Sequence, residues 1–305
     1  MDAPLIAIVG PTGAGKSELA LGVCREHGGE IVSCDSLQVY RGMDIGSAKA
    51  TASERAEVPH HLLDVVDLDQ PFSAADYMRL GRAAVRDIAG RGKLPVVVGG
   101  TGLYLRALLE GLFAGPSRSE PLRQRFEQIA ERFGGLRLWR LLRRVDPSAA
   151  QRIPASDRVR VVRALEVFWT TGKPLSAHHQ TGSEPLRGFR TLIVGLDPGR
   201  EELKKRIEAR TQAMIEQGLL DEVRGLVDRY GSDIRPLQAI GYKEAVSMLR
   251  GRLSDSRAIV HATLRFAKRQ RTWFRHQAKG VEWRKDVEGA RQLVRAWLGV
   301  PAPSP

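Results

Sequence analysis

The sequence predicts an α/β protein, a parallel sheet flanked by helices and interrupted by an all-helical insertion. Two observations lead there. Short apolar runs at 5–9, 30–34, 94–100 and 190–197 alternate with helical segments, and strand, loop and helix in repetition imply a parallel sheet covered by its crossovers. Between the third and fourth runs the alternation stops, and helical periodicity alone fills 122–172.

The first strand, "LIAIV" (5–9), runs straight into "GPTGAGKS" (10–17), and a helix follows from about Lys16 to Glu26. "EIVSC" (30–34) is a second strand, and 35–71 read as mostly irregular, punctuated by Gly42, Gly46, Pro59 and Pro71. Ser73 is the expected N-cap of the amphipathic helix in "SAADYMRLGRAAVRDIAGRG", because its hydroxyl can accept from a free N–H of the first turn. "LPVVVGG" (94–100) is an apolar strand closing on glycines, and "GLYLRALLEGL" opens another helix. The Pro/Ser-rich "AGPSRSEP" (114–121) marks a boundary, and 173–189 read as polar and irregular. "RTLIVGLD" (190–197) returns to a strand. Helices are expected at 199–217, 219–229 and near 256–277, with a loop around "DIRPLQAIGY" and a frayed tail "GVPAPSP". These elements assign a core to 1–115 plus 189–305 and a helical insertion to 116–188.

The 305 residues, 42% hydrophobic and 27% charged, can bury a core and remain in solution. No apolar run approaches the roughly 20 residues of a membrane-spanning helix, and "MDAPLIAIVG" lacks the basic region of a signal peptide. Cys24 and Cys34 lack ligand spacing and read as reduced thiols of a cytoplasmic protein. His60-His61 and His178-His179 have no acid or cysteine at ligand spacing and read as loop or core histidines. The net charge is +13, unevenly spread. Eight arginines (137, 140, 143, 144, 152, 158, 160, 163) fall between Leu136 and Leu165 against Asp146 and Asp157. Seven Lys/Arg and no acid fall between Ser256 and Val281. Such clusters point to a polyanionic partner, a nucleic acid above all.

"GPTGAGKS" matches G-x-x-x-x-G-K-[ST] at every fixed position, Gly10, Gly15, Lys16 and Ser17, with Pro11, Thr12, Gly13 and Ala14 between them. Its glycines let backbone N–H groups turn toward an anion without Cβ clashes. The helix N-terminus behind it adds positive potential, Lys16 neutralises phosphate oxygens, and the Ser17 hydroxyl suits Mg²⁺. The core is therefore P-loop NTPase-like, and the cradle holds a phosphate chain, a nucleotide such as ATP being the default guess. The companions of nucleotide hydrolases are missing: there is no N-K-x-D, and "PVVVGG" ends in glycines where a metal-holding acid would stand. Asp35, just past the second strand, is the acid best placed near the cradle, on the edge where open α/β sheets bind ligands.

The blocks "GPTGAGKS", "DSLQVYRGMDIGSAK" (35–49), "VPHHLLDVVDLDQPFSAADY" (58–77), "VVVGGTGLYLRALL" (96–109), "RALEVF" (163–168), "AIGYKE" (239–244) and "AKRQRTWFR" (267–275) together resemble the tRNA dimethylallyltransferase family, in one order over nearly the whole chain. The resemblance implies a donor, dimethylallyl diphosphate, with its diphosphate in 10–17 beside Mg²⁺, and an acceptor in the tRNA anticodon stem-loop. It implies that Asp35 is the general base on the adenosine N6 amine, that Ser36, Leu37 and Gln38 touch the target base and its neighbours, and that Thr101 lies on the reaction channel. It implies that Arg210 grips the diphosphate. Arg123, the segment 159–163 with Arg160 and Arg163, and the segment 239–244 with Gly241, Tyr242 and Lys243 match tRNA contacts. Val159 stands where the family usually has glutamine, and "GSAKA" replaces the commoner "GTAKP".

Read from the residues alone, Tyr242 is as well a core residue as an RNA contact, and Trp273 and Phe274 anchor their helix, leaving Arg269, Arg271 and Arg275 outward. A P-loop small-molecule or nucleotide kinase with an arginine-rich lid is the alternative enzyme, and a non-catalytic RNA-binding ATPase a third class. The first leaves the acid-free helix without a task; the second gives Asp35 none. A monomer free of membranes is expected.

Overall fold

The computed structural model describes residues 2–113, 115–116, 118–180, 184–253 and 255–299, the side chains of 179 and 180 excepted. Residues 300–305 of the tail expected to fray lie outside these. The chain forms two compact units, one of 1–109 with 186–305, the other of 110–185.

The first unit is built on a six-stranded sheet ordered β3-β2-β4-β1-β5-β6, with all the pairings parallel. The strands are β1 (Ala3–Val9), β2 (Gly29–Ser33), β3 (His60–His61), β4 (Leu94–Gly99), β5 (Phe189–Leu196) and β6 (Val281–Arg284). The helices between β1 and β4 are α1 (Lys16–His27), α2 (Ala52–Glu57) and α3 (Ala74–Gly90), with α4 (Gly102–Glu110) after β4. β1 is central, and its side chains alternate across the sheet. Ile6 and Ile8 join Leu19 and Val23 of α1 in one core; Leu5, Ala7 and Val9 join Tyr77, Val85 and Tyr104 in the core on the other face. A strand covered on both faces needs the unbroken apolar run that 5–9 provides.

The second unit holds α5 (Glu120–Phe133), α6 (Gly135–Val145), α7 (Pro147–Arg152), α8 (Arg158–Thr171) and α9 (Leu175–Gln180). They close around Phe126, Ala130, Leu138, Leu142, Val161 and Leu165. In the first unit, α10 (Arg200–Glu216) and α11 (Leu219–Tyr230) follow β5, and a 3-10 turn at Arg235–Gln238 leads to α12 (Tyr242–Leu249). Then come α13 (Arg257–Gln277) and, after β6, α14 (Val287–Leu298). A third core, with Met43, Leu68, Met214, Leu219, Val223, Tyr242 and Ile259, underlies the loop after β2.

Ser73 does cap α3: its hydroxyl accepts from the Asp76 N–H, and Asp76 reaches back to the Ser73 N–H at 3.0 Å. The stretch 35–71, expected to be irregular, contains α2 and the two-residue β3. α2 starts on a Thr51/Glu54 capping box, a signal present in "TASE". The stretch 173–189 contains α9, and "GYKE" opens α12 within the expected loop. β6 and α14 were not anticipated; α14 packs Ala290 and Val294 onto the α1 face of the sheet.

Candidate active site

β1 leaves the sheet at Val9 and enters the Gly10–Ser17 loop, whose last residues open α1. Gly10 has φ +142°, and a Cβ there would fall on the Leu196 carbonyl. Gly15 caps α1 in the left-handed region, φ 94°, so the turn that aims the helix N-terminus outward requires glycine. Within the loop the Ala14 N–H donates to the Pro11 carbonyl at 3.3 Å, and Lys16 Nζ donates to the same oxygen at 2.7 Å. Burial, and then the charge of Arg210, pull the Lys16 ammonium from 10.5 down to about 8; Asp35 and Cys34 act in the opposite direction. Gly13–Ser17, Glu18, Arg206 and Arg210 line a recess of about 400 Å³. A cation short of solvent and close to another cation is relieved by losing its proton or by binding an anion.

Asp35 stands two residues beyond β2. Its Oδ1 accepts the Leu37 N–H at 2.8 Å and the Gln38 N–H at 3.4 Å, an Asx turn that folds 35–38 back over the sheet edge. Thr101 precedes α4; its carbonyl accepts from Tyr104 at 2.9 Å and its hydroxyl accepts the Ser36 N–H at 3.1 Å. Gln38 accepts from Ser33 Oγ at 2.8 Å and donates to the Ser47 and Ala48 carbonyls at 3.3 and 3.2 Å. Ser36 is exposed, and Leu37 is half-buried against the third core.

The cradle, Asp35 and Gln38 share one cavity of about 160 Å³, lined by Thr12, Lys16, Ser17, Asp35, Gln38, Arg210 and Gln270 among others; Ser36, Leu37 and Thr101 lie outside its lining. Arg210 comes from α10. Burial lowers its pKa, and Asp35 is the charge that counters this. Neither Lys16 nor Arg210 has a carboxylate within ion-pair distance among the described residues.

Gln270, from α13, was missed by sequence reasoning. Its oxygen accepts the Thr12 N–H at 2.9 Å and its amide donates to the Gly100 carbonyl at 3.0 Å. It thus ties the cradle to the loop that carries Thr101. A Cβ on Gly100 would collide with its amide. With Gln270 and Thr12 258 positions apart in the chain, no local pattern announces the contact. Its neighbours on α13 also differ from expectation. Phe274 is buried and Trp273 packs beside it, but Arg271 and Arg275 are not simply outward: they grip the two oxygens of Asp197 at 2.6 and 2.8 Å.

The residues matched to RNA contact are divided between the two units. Tyr242 is fully buried and its hydroxyl donates to Glu222 at 2.7 Å. Gly241 has φ +91° at the start of α12, and Lys243 is exposed. In the helical unit, Arg123 and Arg163 both bind Glu166, whose side chain has no exposure, at 3.1 and 2.8 Å. Arg163 also donates to the Pro116 carbonyl at 2.8 Å. Burial raises the Glu166 pKa, but the bonds from Arg123, Arg163 and the Ser119 N–H outweigh it and hold the carboxyl below its usual range. Arg160 is exposed beside Asp157, and Val159 is 71% exposed.

Among the described residues no three His, Cys, Asp or Glu gather into a metal site. The exposed Ser17 hydroxyl lines both the recess and the cavity. One hydroxyl beside a phosphate cradle fits Mg²⁺, which takes its other ligands from phosphate oxygens and water. Among the described residues no helix is long and apolar enough to cross a membrane.

Residues 38–277 match the family model described as IPP transferase. A tRNA dimethylallyltransferase of Solibacter usitatus is 48% identical over 294 residues, 95% of each chain. That of Koribacter versatilis is 47% identical over 287 residues, 93% of each. A tRNA isopentenylpyrophosphate transferase from Bacillus halodurans has a similar structure, with TM-score 0.69 and 38% identity over 97% of this chain and 95% of that one. A eukaryotic dimethylallyltransferase acting on tRNA gives TM-score 0.81 and 28% identity over 99% of this chain and 81% of that one. A phosphate cradle facing a carboxylate across one cavity, on this fold and with these relatives, has one reading: the chain belongs to the IPP transferase family, the tRNA dimethylallyltransferases, and is a prenyltransferase.

Proposed function

We propose that the chain transfers the dimethylallyl group of dimethylallyl diphosphate to the N6 amine of the adenosine 3′-adjacent to the anticodon of tRNA, giving N6-isopentenyladenosine and diphosphate. The observation that carries this is the shared cavity, where Lys16, Ser17 and Arg210 face Asp35. The diphosphate lies in the 10–17 loop, against backbone N–H groups, Lys16 and Arg210. Mg²⁺ held on Ser17 would add neutralising charge to it. Allylic diphosphates react with carbocation character at C1, so stabilising the leaving anion and excluding water are the main tasks.

The N6 lone pair forms the new bond to C1 as the C1–O bond breaks, and the electron pair leaves on diphosphate. The nitrogen becomes cationic and gives a proton to Asp35, whose Oδ1 is held by two backbone N–H groups. Thr101 supports that turn through Ser36 and lies on the channel. Ser36, Leu37 and Gln38 meet the extruded base. In this reading exposed arginines, Arg160 among them, meet the RNA backbone. Arg123, Arg163, Gly241, Tyr242 and Lys243 act near it, those that are buried or paired by shaping the surface. The protein acts as a cytoplasmic monomer.

The test is a label-fate experiment: unmodified tRNA is incubated with the protein and either dimethylallyl diphosphate labelled in the prenyl group or ATP labelled in the γ-phosphate. Prenyl label in RNA supports the proposal. Phosphate label alone, in RNA or a small acceptor, defeats it in favour of a kinase.

A further inference from the structure

We propose that Glu222 and Lys49 are positioning residues for the acceptor nucleotide, holding the loop that forms one wall of the cavity from its two sides. This rests on the reading above that the acceptor base enters beside Asp35 and Gln38. The loop between β2 and α2 contains no regular element, yet Gln38, Ser47, Ala48 and Ala50 from it line the cavity. A wall that must present Gln38 in one orientation needs fixing from outside itself.

Glu222 of α11 supplies one pin. Its Oε2 accepts the backbone N–H groups of Asp44 and Ile45 at 3.0 and 2.7 Å. Its Oε1 accepts that of Gly46 at 3.2 Å and the Tyr242 hydroxyl at 2.7 Å. Three successive backbone N–H groups on one carboxylate form an anion nest, here filled by the protein's own side chain. Tyr242 also packs on Gly46 so closely that a Cβ there would meet its ring.

Lys49 supplies the second pin. Its side chain is 1% exposed, and Nζ donates to Asp44 Oδ1 at 2.6 Å, Asp64 Oδ1 at 2.7 Å and the Tyr40 carbonyl at 2.8 Å. Arg55 holds the other Asp64 oxygen at 2.8 Å. Asp44 therefore belongs to both pins, its N–H to Glu222 and its carboxylate to Lys49. Between them Ala48 has φ +48°, and Asp64 opposite has φ +55°. Non-glycine residues keep such conformations only where the surroundings over-determine them. The Ser47 and Ala48 carbonyls accept from the Gln38 amide, so the pins reach the cavity through Gln38. None of their bonds ends on the 10–17 cradle.

Glu222→Gln replaces one carboxylate oxygen by an amide nitrogen that cannot accept, orphaning at least one loop N–H. Lys49→Met keeps a four-atom apolar stem and removes the ammonium with all three donors. Tyr242→Phe removes only the hydroxyl. Donor affinity and stoichiometry are measured by titrating dimethylallyl diphosphate with Mg²⁺, and transfer is measured on an unmodified anticodon stem-loop RNA. Misplacement of a reacting group by about 1 Å costs about 10²-fold, so Lys49→Met should lower kcat/KM for the RNA by about that factor. Loss of one hydrogen bond to a charged group predicts a fall of about 10-fold for Glu222→Gln, and less for Tyr242→Phe. In all three, donor Kd should stay within about twofold and stoichiometry near one, a split that simple unfolding cannot give. Full transfer in Glu222→Gln overturns the proposal. So does transfer that falls only in proportion to donor stoichiometry. If Lys49→Met fails to fold, Glu222→Gln and Tyr242→Phe decide by the same criteria. A wild type that binds donor but prenylates no RNA defeats the proposed function itself; an active wild type with indifferent variants defeats only the positioning.

Discussion

Lys16 and Arg210 in the sheet unit carry no ion pair among the described residues and face a cavity, whereas Arg123 and Arg163 in the helical unit converge on one buried carboxylate, Glu166. The first pair is held without an anion, and burial lowers both pKa values. The second pair keeps a buried anion charged. A cation's partner, more than its place in a basic cluster, separates a cation that awaits a ligand from one that holds a fold. By that standard α6, with Arg137, Arg140 and Arg144 exposed, is a better source of RNA contacts than Arg163.

The comparison can be broken most severely at Asp35, the carboxylate whose charge acts on both Lys16 and Arg210. Asp35→Asn keeps shape and removes basicity, and should slow single-turnover prenyl transfer by about 10²–10⁴-fold with donor binding retained. A near wild-type rate would make Asp35 a turn residue and send the proton elsewhere. Lys16→Ala comes next. Loss of a charged donor should weaken donor binding by about 10–100-fold and leave RNA affinity unchanged; equal losses in separate titrations would contradict the division between donor and acceptor sites.

The pH behaviour sharpens the contrast. The Lys16 pKa is lower folded, about 8, than its ordinary 10.5. The unfolded chain therefore binds more protons between those values, and this group's cost to stability is relieved as pH rises through that window. A bound diphosphate restores the ammonium, so donor binding above about pH 8 should take up a proton. Calorimetry in buffers of different ionisation enthalpy would detect it, and no buffer dependence would refute it. Glu166 moves stability in the same direction with pH, but as a gain held at neutral pH and not as a cost. Its folded pKa lies below 4.5, so its contribution is present at neutral pH and is lost as pH falls below that value.

The smallest effect concerns RNA. Each phosphate contact should contribute about 0.7–0.9 to the slope of log affinity against log salt. Arg140→Ala with Arg144→Ala should flatten that slope, and Arg163→Ala should flatten it less; the reverse order would restore Arg163 as a direct contact.

Much of this is legible in the amino-acid sequence. The apolar run 5–9 with "GPTGAGKS" announces β1, the cradle and α1, and the Ser73 cap announces α3. Asp35 could be placed at the sheet edge because it directly follows the apolar run 30–34. Short elements were not legible: β3 has two residues, and α12 starts from a glycine in a polar stretch. α14 did carry a signal, Asp286 as N-cap and Gly299 as C-cap, that went unread. The site's supports, Gln270 on Thr12 and Glu222 on 44–46, join residues far apart in sequence, and only the fold brings them together. The Arg163–Glu166 pair, at i,i+3, was readable as helix surface chemistry, but the resemblance to RNA-contacting segments took precedence.

The contrast between free and paired cations is tested most directly by two substitutions compared in two measurements. Arg210→Ala and Arg163→Ala are each titrated with dimethylallyl diphosphate and Mg²⁺, and each is melted. Arg210→Ala should weaken donor binding by about 10–100-fold without lowering the melting midpoint, since it removes a half-buried charge that lacks an ion pair. Arg163→Ala should lower the midpoint by a few degrees, about 1–2 kcal/mol with Arg123 still on Glu166, and leave donor affinity unchanged. Donor affinity intact in Arg210→Ala, with the midpoint intact in Arg163→Ala, would contradict the account.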